Sequence, residues 1–285
     1  MFDKKFLIKI RFILWLLLVV LNQNIQAQPT EQVSFIAAFK NDFKTSLRLS
    51  ILQEKSILTA PARWSDRDWM TLALLTSGGG IIMGFDKEIY LKIQQNKSEV
   101  GDKVARNFGE PMGSGLLSLP LLAGLYAGGH LTQHHRMTQA ALAGTRAFVI
   151  TAFNVQLLKM AIGRERPSET SQPYEFHGPS LHNDALPSGH TAVAFAMASA
   201  IAHTYPEKPF LGACLYAAAA LTAWSRINDG KHWPSDVFAG AVLGYFTGRL
   251  VAGKGQDPAT MKQKISYLPL ISPHYTGVMM TWNLR

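Results

Sequence analysis

Six apolar blocks, at about residues 69–85, 113–128, 136–162, 189–204, 209–225 and 236–252, constrain the fold more than any other feature of this chain. Polar or turn-rich pieces such as GGHLTQHHR, YPEKP and NDGKHWPS separate them. None of the blocks alternates with the period of two that marks a half-buried strand, and no repeat period is visible. Gly and Ala recur inside the blocks, where they let helices approach closely. The expected fold class is therefore all-α, a single bundle of about six core helices. Apolar residues make up 47% of the chain and charged residues only 16%, which places it between a soluble bundle and a polytopic membrane protein.

The flanks read differently. Lys4, Lys5, Lys9 and Arg11 precede the unbroken apolar run Phe12 to Leu21, and the polar NQNIQA then ends on the small residue Ala27. That order is the pattern of a secretory signal peptide over 1–27, with an uncleaved anchor as the other reading. Residues 28–65 carry apolar positions at helical spacing in VSFIAAF and are expected to form an amphipathic lead-in helix and linker. The segment 256–285 is a polar tail with a β-like alternating end. Taken as blocks near 16 residues, the apolar stretches fall short of the ~20 that a membrane span needs. Arg146 and Gln156 sit inside the third. These features favour a bundle exported to the periplasm, with the membrane surface as a partner, over a fully embedded one.

The formal net charge is +9. A basic balance suits an anionic partner, such as phosphate or anionic lipid, or simply solubility and retention in the envelope. The cations concentrate at helix ends, with no basic stripe or aromatic ladder, so nucleic acid is not an expected partner. Cys214 is the single cysteine and cannot form an internal disulfide. Within LGACLYAAAALTAW it reads as a small core residue.

Three short motifs carry the chemistry. In KMAIGRERP, Lys159 and Arg166 close the third long block, and Pro167 is expected to stop its helix. A separation of seven residues places both cations on one helical face, roughly 10 Å apart along the axis. By themselves they could equally complement the helix dipole. In PSGH, Ser188, Gly189 and His190 open the next block. The free backbone N–H groups and positive dipole of such a helix start favour a phosphate, although a capping serine would look the same. In SRINDGKHWPSD, Arg226 ends one block and His232 and Asp236 begin the next, with Pro234 suited to its first turn. A carboxylate at Asp236 could accept a hydrogen from one ring nitrogen of His232 and leave the other free as a nucleophile.

Taken in this order, Lys159/Arg166, Ser188/Gly189/His190 and Arg226/His232/Asp236 resemble the type 2 phosphatidic acid phosphatase superfamily. That superfamily includes lipid phosphate phosphatases, bacterial class A acid phosphatases and vanadium haloperoxidases. The resemblance covers roughly residues 66–255, the expected catalytic domain, with the site at one end of the bundle. It implies that His232, oriented by Asp236, attacks phosphorus. Lys159, Arg166, Arg226, Ser188 and the Gly189 amide would hold the phosphoryl oxygens. His190 would protonate the leaving group and then activate water. Three fixed cations would supply the charge that a metal supplies in other phosphatases, so neither metal nor cofactor is expected.

The implied substrate is a phosphate monoester or pyrophosphate carried by a lipid. The alternatives are a non-specific acid phosphatase acting on soluble esters, or a vanadium-dependent haloperoxidase on the same cradle. His130, His134 and His135 in GGHLTQHHR read as a solvated loop rather than a metal site. The long loop at about 168–186, with His177 and His182, is expected at the mouth of the pocket.

Overall fold

The structure, a computed structural model, describes residues 35–180, 182–253, 265–272 and 275–282. The expected signal peptide at 1–27 lies outside the described residues. Helix α1 (Phe35–Leu58) is the anticipated lead-in, and α2 (Asp66–Gly84) is the first apolar block. Three shorter helices follow: α3 (Asp86–Gln95), α4 (Glu99–Val104) and α5 (Glu110–Gly113), the last two joined by a π-helical turn over Ala105–Gly109. The other five blocks are α6 (Gly115–Leu131), α7 (His135–Ile162), α8 (Gly189–Thr204), α9 (Pro209–Asn228) and α10 (Pro234–Ala252). The tail read as β-like forms an antiparallel hairpin of β1 (Ile265–Ser272) and β2 (Tyr275–Trp282), with Ile265 opposite Trp282 and Ser272 opposite Tyr275.

Helix α8 is the hub, packed against α7, α9 and α10. Its sequence GHTAVAFAMASAIAHT buries Thr191 to Ala194 and Ser199 to Ile201, so every face of the helix is covered. A helix apolar all round, as this one is, belongs inside a bundle. Its small side chains matter because α10 presents Gly240, Gly244 and Gly248 to it. A Cβ on Gly244 would stand 2.1 Å from the Ala192 carbonyl oxygen, and one on Gly248 would stand 2.2 Å from that of Ala196. The two backbones therefore touch, as only small residues permit. Two further bonds lock the pair, Ser188 N–H to the Asp236 carbonyl at 2.9 Å and Ser199 hydroxyl to the Tyr245 carbonyl at 2.9 Å. Leu122, Leu125 and Tyr126 of α6 and Met137 of α7 extend the apolar core, meeting Ile201 and Leu211.

Two expectations change. Helix α7 runs for 28 residues and α9 for 20, and among the described residues these two are long and apolar enough to cross a membrane. The broken pair Glu99–Gly113 and Gly115–Leu131, bent by 60°, adds a third if it counts as one span. The estimate of blocks near 16 residues, which favoured a bundle outside the membrane, is thus corrected. The interior polar residue Arg146 does not break α7, because it is buried and its Nη1 reaches the Ser46 hydroxyl of α1 at 3.5 Å. Asn154 likewise turns to Glu54, donating to Oε2 at 2.9 Å. The neighbouring helix α1 thus supplies partners to both, although Arg146 Nε is buried without one. Cys214 is exposed on α9 rather than buried in the core.

Helix α2 packs at the edge of the bundle. It buries no residue, meets α10 where Gly78 and Gly79 face the Phe238 ring, and exposes Trp69, Met70, Leu72, Leu74 and Ile81.

Candidate active site

Because α7 to α10 alternate in direction, the C-terminal ends of α7 and α9 and the N-terminal ends of α8 and α10 gather at one end of the bundle. Lys159 lies in the last turn of α7, Ser188 is the N-cap of α8, Arg226 lies in the last turn of α9, and His232 precedes α10. The motifs, separated along the chain, are brought together by that alternation. Bonds between the ends fix their spacing: the Lys231 and His232 amides donate to the Arg226 carbonyl at 3.0 and 3.3 Å.

The first motif folds differently from expectation. Helix α7 stops at Ile162, well before Pro167, with Gly163 in the left-handed region at φ 61. A Cβ there would stand 2.0 Å from the Gly178 carbonyl oxygen, so the position demands glycine on two counts. Arg166 is therefore not on the helical face of Lys159. The loop returns it instead, and both cations converge on Asp184. Arg166 Nε and Nη2 donate to its two carboxylate oxygens at 2.7 and 2.8 Å. Lys159 Nζ donates to the Asp184 carbonyl and lies 3.3 Å from its Oδ2.

The residue after Asp184 orients the histidine. His232 Nδ1 lies 2.7 Å from the Ala185 carbonyl oxygen, and His232 is buried. Asp236 Oδ2 is 3.8 Å from the same nitrogen, beyond hydrogen-bond reach. The direct bond from His232 to Asp236 read from sequence is thus replaced by a backbone carbonyl. With Nδ1 donating to Ala185, Nε2 is the lone-pair nitrogen. Asp236 holds the frame instead: Oδ2 accepts from the Trp233 amide at 2.7 Å and Oδ1 from Arg164 Nη1 at 2.6 Å.

Arg164 was absent from the sequence reading. It is fully buried and donates to Asp236, to Asp86 Oδ2 at 2.6 Å, to the Ser235 hydroxyl at 2.7 Å and to the Pro173 carbonyl. Asp86, at the start of α3 and also fully buried, accepts from the Ser235 amide at 2.8 Å and from its hydroxyl at 2.6 Å. Two carboxylates therefore cap the start of α10, where the free N–H groups favour negative charge, and one guanidinium pairs with both from behind. Burial pushes Asp86 up from the ordinary carboxylate range, against the pull of Ser235 and Arg164. The only sequence signal for Arg164 was its place between two motif cations, and for Asp86 there was none.

Arg226 is buried, with Nη2 on Asp229 Oδ2 at 2.6 Å and Nη1 3.8 Å from Glu110. The π-helical turn Ala105–Gly109 lies against α9, where a Cβ on Gly109 would meet Ser225 at 2.5 Å, and so delivers Glu110 toward Arg226. Ser188 is fully buried, its hydroxyl accepting from Thr191 at 3.0 Å, while Gly189 lies against Lys159. His190 is half-buried. Burial first, then the charges of Arg226, His232, Lys159 and Arg166, push it down to about 4. Burial also lowers His232, against the opposing charge of Asp236. Both shifts favour the neutral imidazole at pH 7.

Outside this constellation, His134 caps α7 by accepting from the Met137 amide at 3.3 Å, and His130 lies 3.4 Å from Asp42. His177 pairs with Glu165 at 2.6 Å on the long loop, and Glu175 joins them within 4.8 Å.

Known proteins resemble this chain over the helices that carry the motifs. The family model for the PAP2 superfamily fits residues 140–257, which hold every motif residue named above. A lipid A 1-phosphatase of Porphyromonas gingivalis is 37% identical over 93 residues, 32% of this chain and 18% of that protein. An undecaprenyl-diphosphatase of Sulfolobus acidocaldarius is 30% identical over 98 residues, 34% of this chain and 47% of that protein. The chain thus spans less than half the length of these curated relatives. The crystal structure of a transmembrane PAP2 type phosphatidylglycerolphosphate phosphatase from Bacillus subtilis shares the fold, with TM-score 0.50 and 21% identity over 73% of this chain and 94% of that one. By its motifs and these matches, the stretch 140–257 of this chain is similar to the PAP2 superfamily.

Proposed function

We propose that this chain is a membrane-bound phosphatase of the cell envelope that hydrolyses a phosphate monoester or pyrophosphate on a lipid through a phosphohistidine at His232. One observation carries the reading. Consecutive residues tie cations and nucleophile together, since Asp184 gathers Lys159 and Arg166 while the Ala185 carbonyl orients His232.

The chemistry follows from that placement. Phosphoryl transfer asks mainly for in-line positioning and neutralisation of the equatorial oxygens. Lys159, Arg166 and Arg226 supply three positive charges, and the Gly189 amide at the start of α8 adds a donor. Ser188 lies at the same helix end, where its hydroxyl can join them. Nε2 of neutral His232 attacks phosphorus, and the leaving oxygen departs with a proton from His190. His190 then takes a proton from water, which attacks the phosphohistidine and frees phosphate. Its depressed pKa fits this cycle. A dianionic phosphoryl group offsets the cations that depress it, so substrate arrival raises its proton affinity where an acid is needed.

A lipid substrate is supported by the names of the relatives and by the apolar exterior. Helix α7 exposes Val149, Phe153 and Leu157, and α2 exposes Leu74 and Ile81. The test compares the purified full chain with its His232→Ala variant on phosphatidate, an isoprenyl pyrophosphate and p-nitrophenyl phosphate, with acid-quenched trapping of labelled enzyme. Lipid hydrolysis and a covalent phosphate, both lost in the variant, are expected. An active His232→Ala enzyme refutes the nucleophile. Preference for the soluble ester would assign the chain to non-specific phosphatases.

A further inference from the structure

We infer that Asp184 is an internal place-holder for substrate: its carboxylate occupies the Lys159/Arg166 half of the cradle and must swing out before a phosphoryl group can enter. The inference rests on the cradle being a phosphate site, as proposed above.

Two planar oxygens accepting from Nε and Nη2 of one arginine form the fork that guanidinium makes with carboxylate or phosphate alike. Asp184 fills that fork, and its Oδ2 also faces the lysine ammonium. A phosphoryl group bound to the same donors would need the same space. Although burial alone would raise it, Arg166 and Lys159 hold Asp184 below the ordinary carboxylate range, so it stays charged. Two like charges cannot share the fork, so one must leave.

The structure gives Asp184 a way out. Its side chain is 36% exposed, whereas that of Lys159 is 9% exposed. Lys159 is also held by the Asp184 backbone carbonyl, so the ammonium keeps a partner when the carboxylate rotates toward solvent. Ala185, next in the chain, is fully buried and continues to hold His232. Rotation about the Asp184 side chain alone clears the fork without disturbing the nucleophile. Arg226 answers to a different pair, Asp229 and Glu110, so half of the cradle is charged independently. The consequence is selective. A group with too little charge or too few oxygens to replace the carboxylate is refused, whereas a phosphoryl dianion replaces it bond for bond.

The experiment titrates inorganic phosphate and orthovanadate into the full-length protein in detergent, by calorimetry, for the wild type, the isosteric Asp184→Asn and Asp184→Ala. Melting curves check that each folds. Both variants are expected to bind phosphate about fivefold tighter or more, which corresponds to ~1 kcal/mol of removed competition, with KM falling in parallel. Equal or weaker phosphate binding in Asp184→Asn overturns the inference and makes Asp184 a residue that merely aligns the cations. If hydrolysis proceeds while phosphate affinity stays unchanged, the place-holder fails and the phosphatase reading stands. If no protein binds either anion, the cradle itself is wrong and both fall together.

Discussion

Asp86→Asn isolates the buried frame behind the nucleophile, because it changes charge and acceptor count without changing volume. Asp86 Oδ2 accepts from Arg164 Nη2 and from the Ser235 hydroxyl, both at 2.6 Å, and Oδ1 accepts from the Ser235 amide at 2.8 Å. An asparagine offers one acceptor oxygen. Turned to keep Arg164 and the Ser235 hydroxyl, it points its NH2 at the Ser235 amide, donor against donor. Turned the other way, it strands the guanidinium. Either orientation loses a charge-assisted bond, about 1.5–3 kcal/mol, and leaves a buried donor unsatisfied, about 1–3 kcal/mol more. Some of this is returned because Arg164 then faces one carboxylate, Asp236, rather than two. A net loss of about 2–4 kcal/mol is expected, a large share of a total stability on the order of 5–15 kcal/mol. The start of α10 carries Asp236 and follows His232 directly, so the variant should also lower kcat more than KM. Thermal unfolding in detergent and steady-state kinetics on p-nitrophenyl phosphate read the two effects. A stability loss under about 0.5 kcal/mol, the range of ordinary surface substitutions, would refute the frame.

Other outcomes follow from the same geometry. His190→Ala should slow alkyl and lipid phosphates by about 100-fold or more, the scale of general acid catalysis, and spare an aryl phosphate with a good leaving group; equal losses on both would remove its acid role. Because burial lowers His232 from its ordinary value of 6.5, it stays an unprotonated nucleophile to lower pH than a free imidazole would. The acid limb of kcat/KM should therefore lie below that value, and a limb at 6.5 would contradict the buried placement. Gly244→Val would drive methyl groups into the Ala192 carbonyl, which a Cβ alone would approach to 2.1 Å. It should destabilise the α8–α10 pair by about 1–3 kcal/mol or more, measured as a fall in melting temperature.

The sequence by itself settled the helical class, because six apolar blocks without alternation leave no other way to bury that surface. It also settled which residue types meet: the motif cations, Ser188, Gly189 and the two histidines stand at block ends, and helices that alternate in direction bring those ends together. What it could not decide were contacts set by the third dimension. The left-handed Gly163 ends α7 early, so Arg166 reaches Lys159 through the Asp184 carboxylate and not along a helix. His232 donates to a main-chain oxygen, which any residue at 185 could have offered and no side-chain pattern can announce. Asp86 lies 150 positions from Asp236, and nothing local marks it as the carboxylate that Arg164 would hold. Periodicity encodes which faces are apolar. The partners of buried charges depend on which backbones come within three ångströms, and that distance is a property of the packed bundle alone.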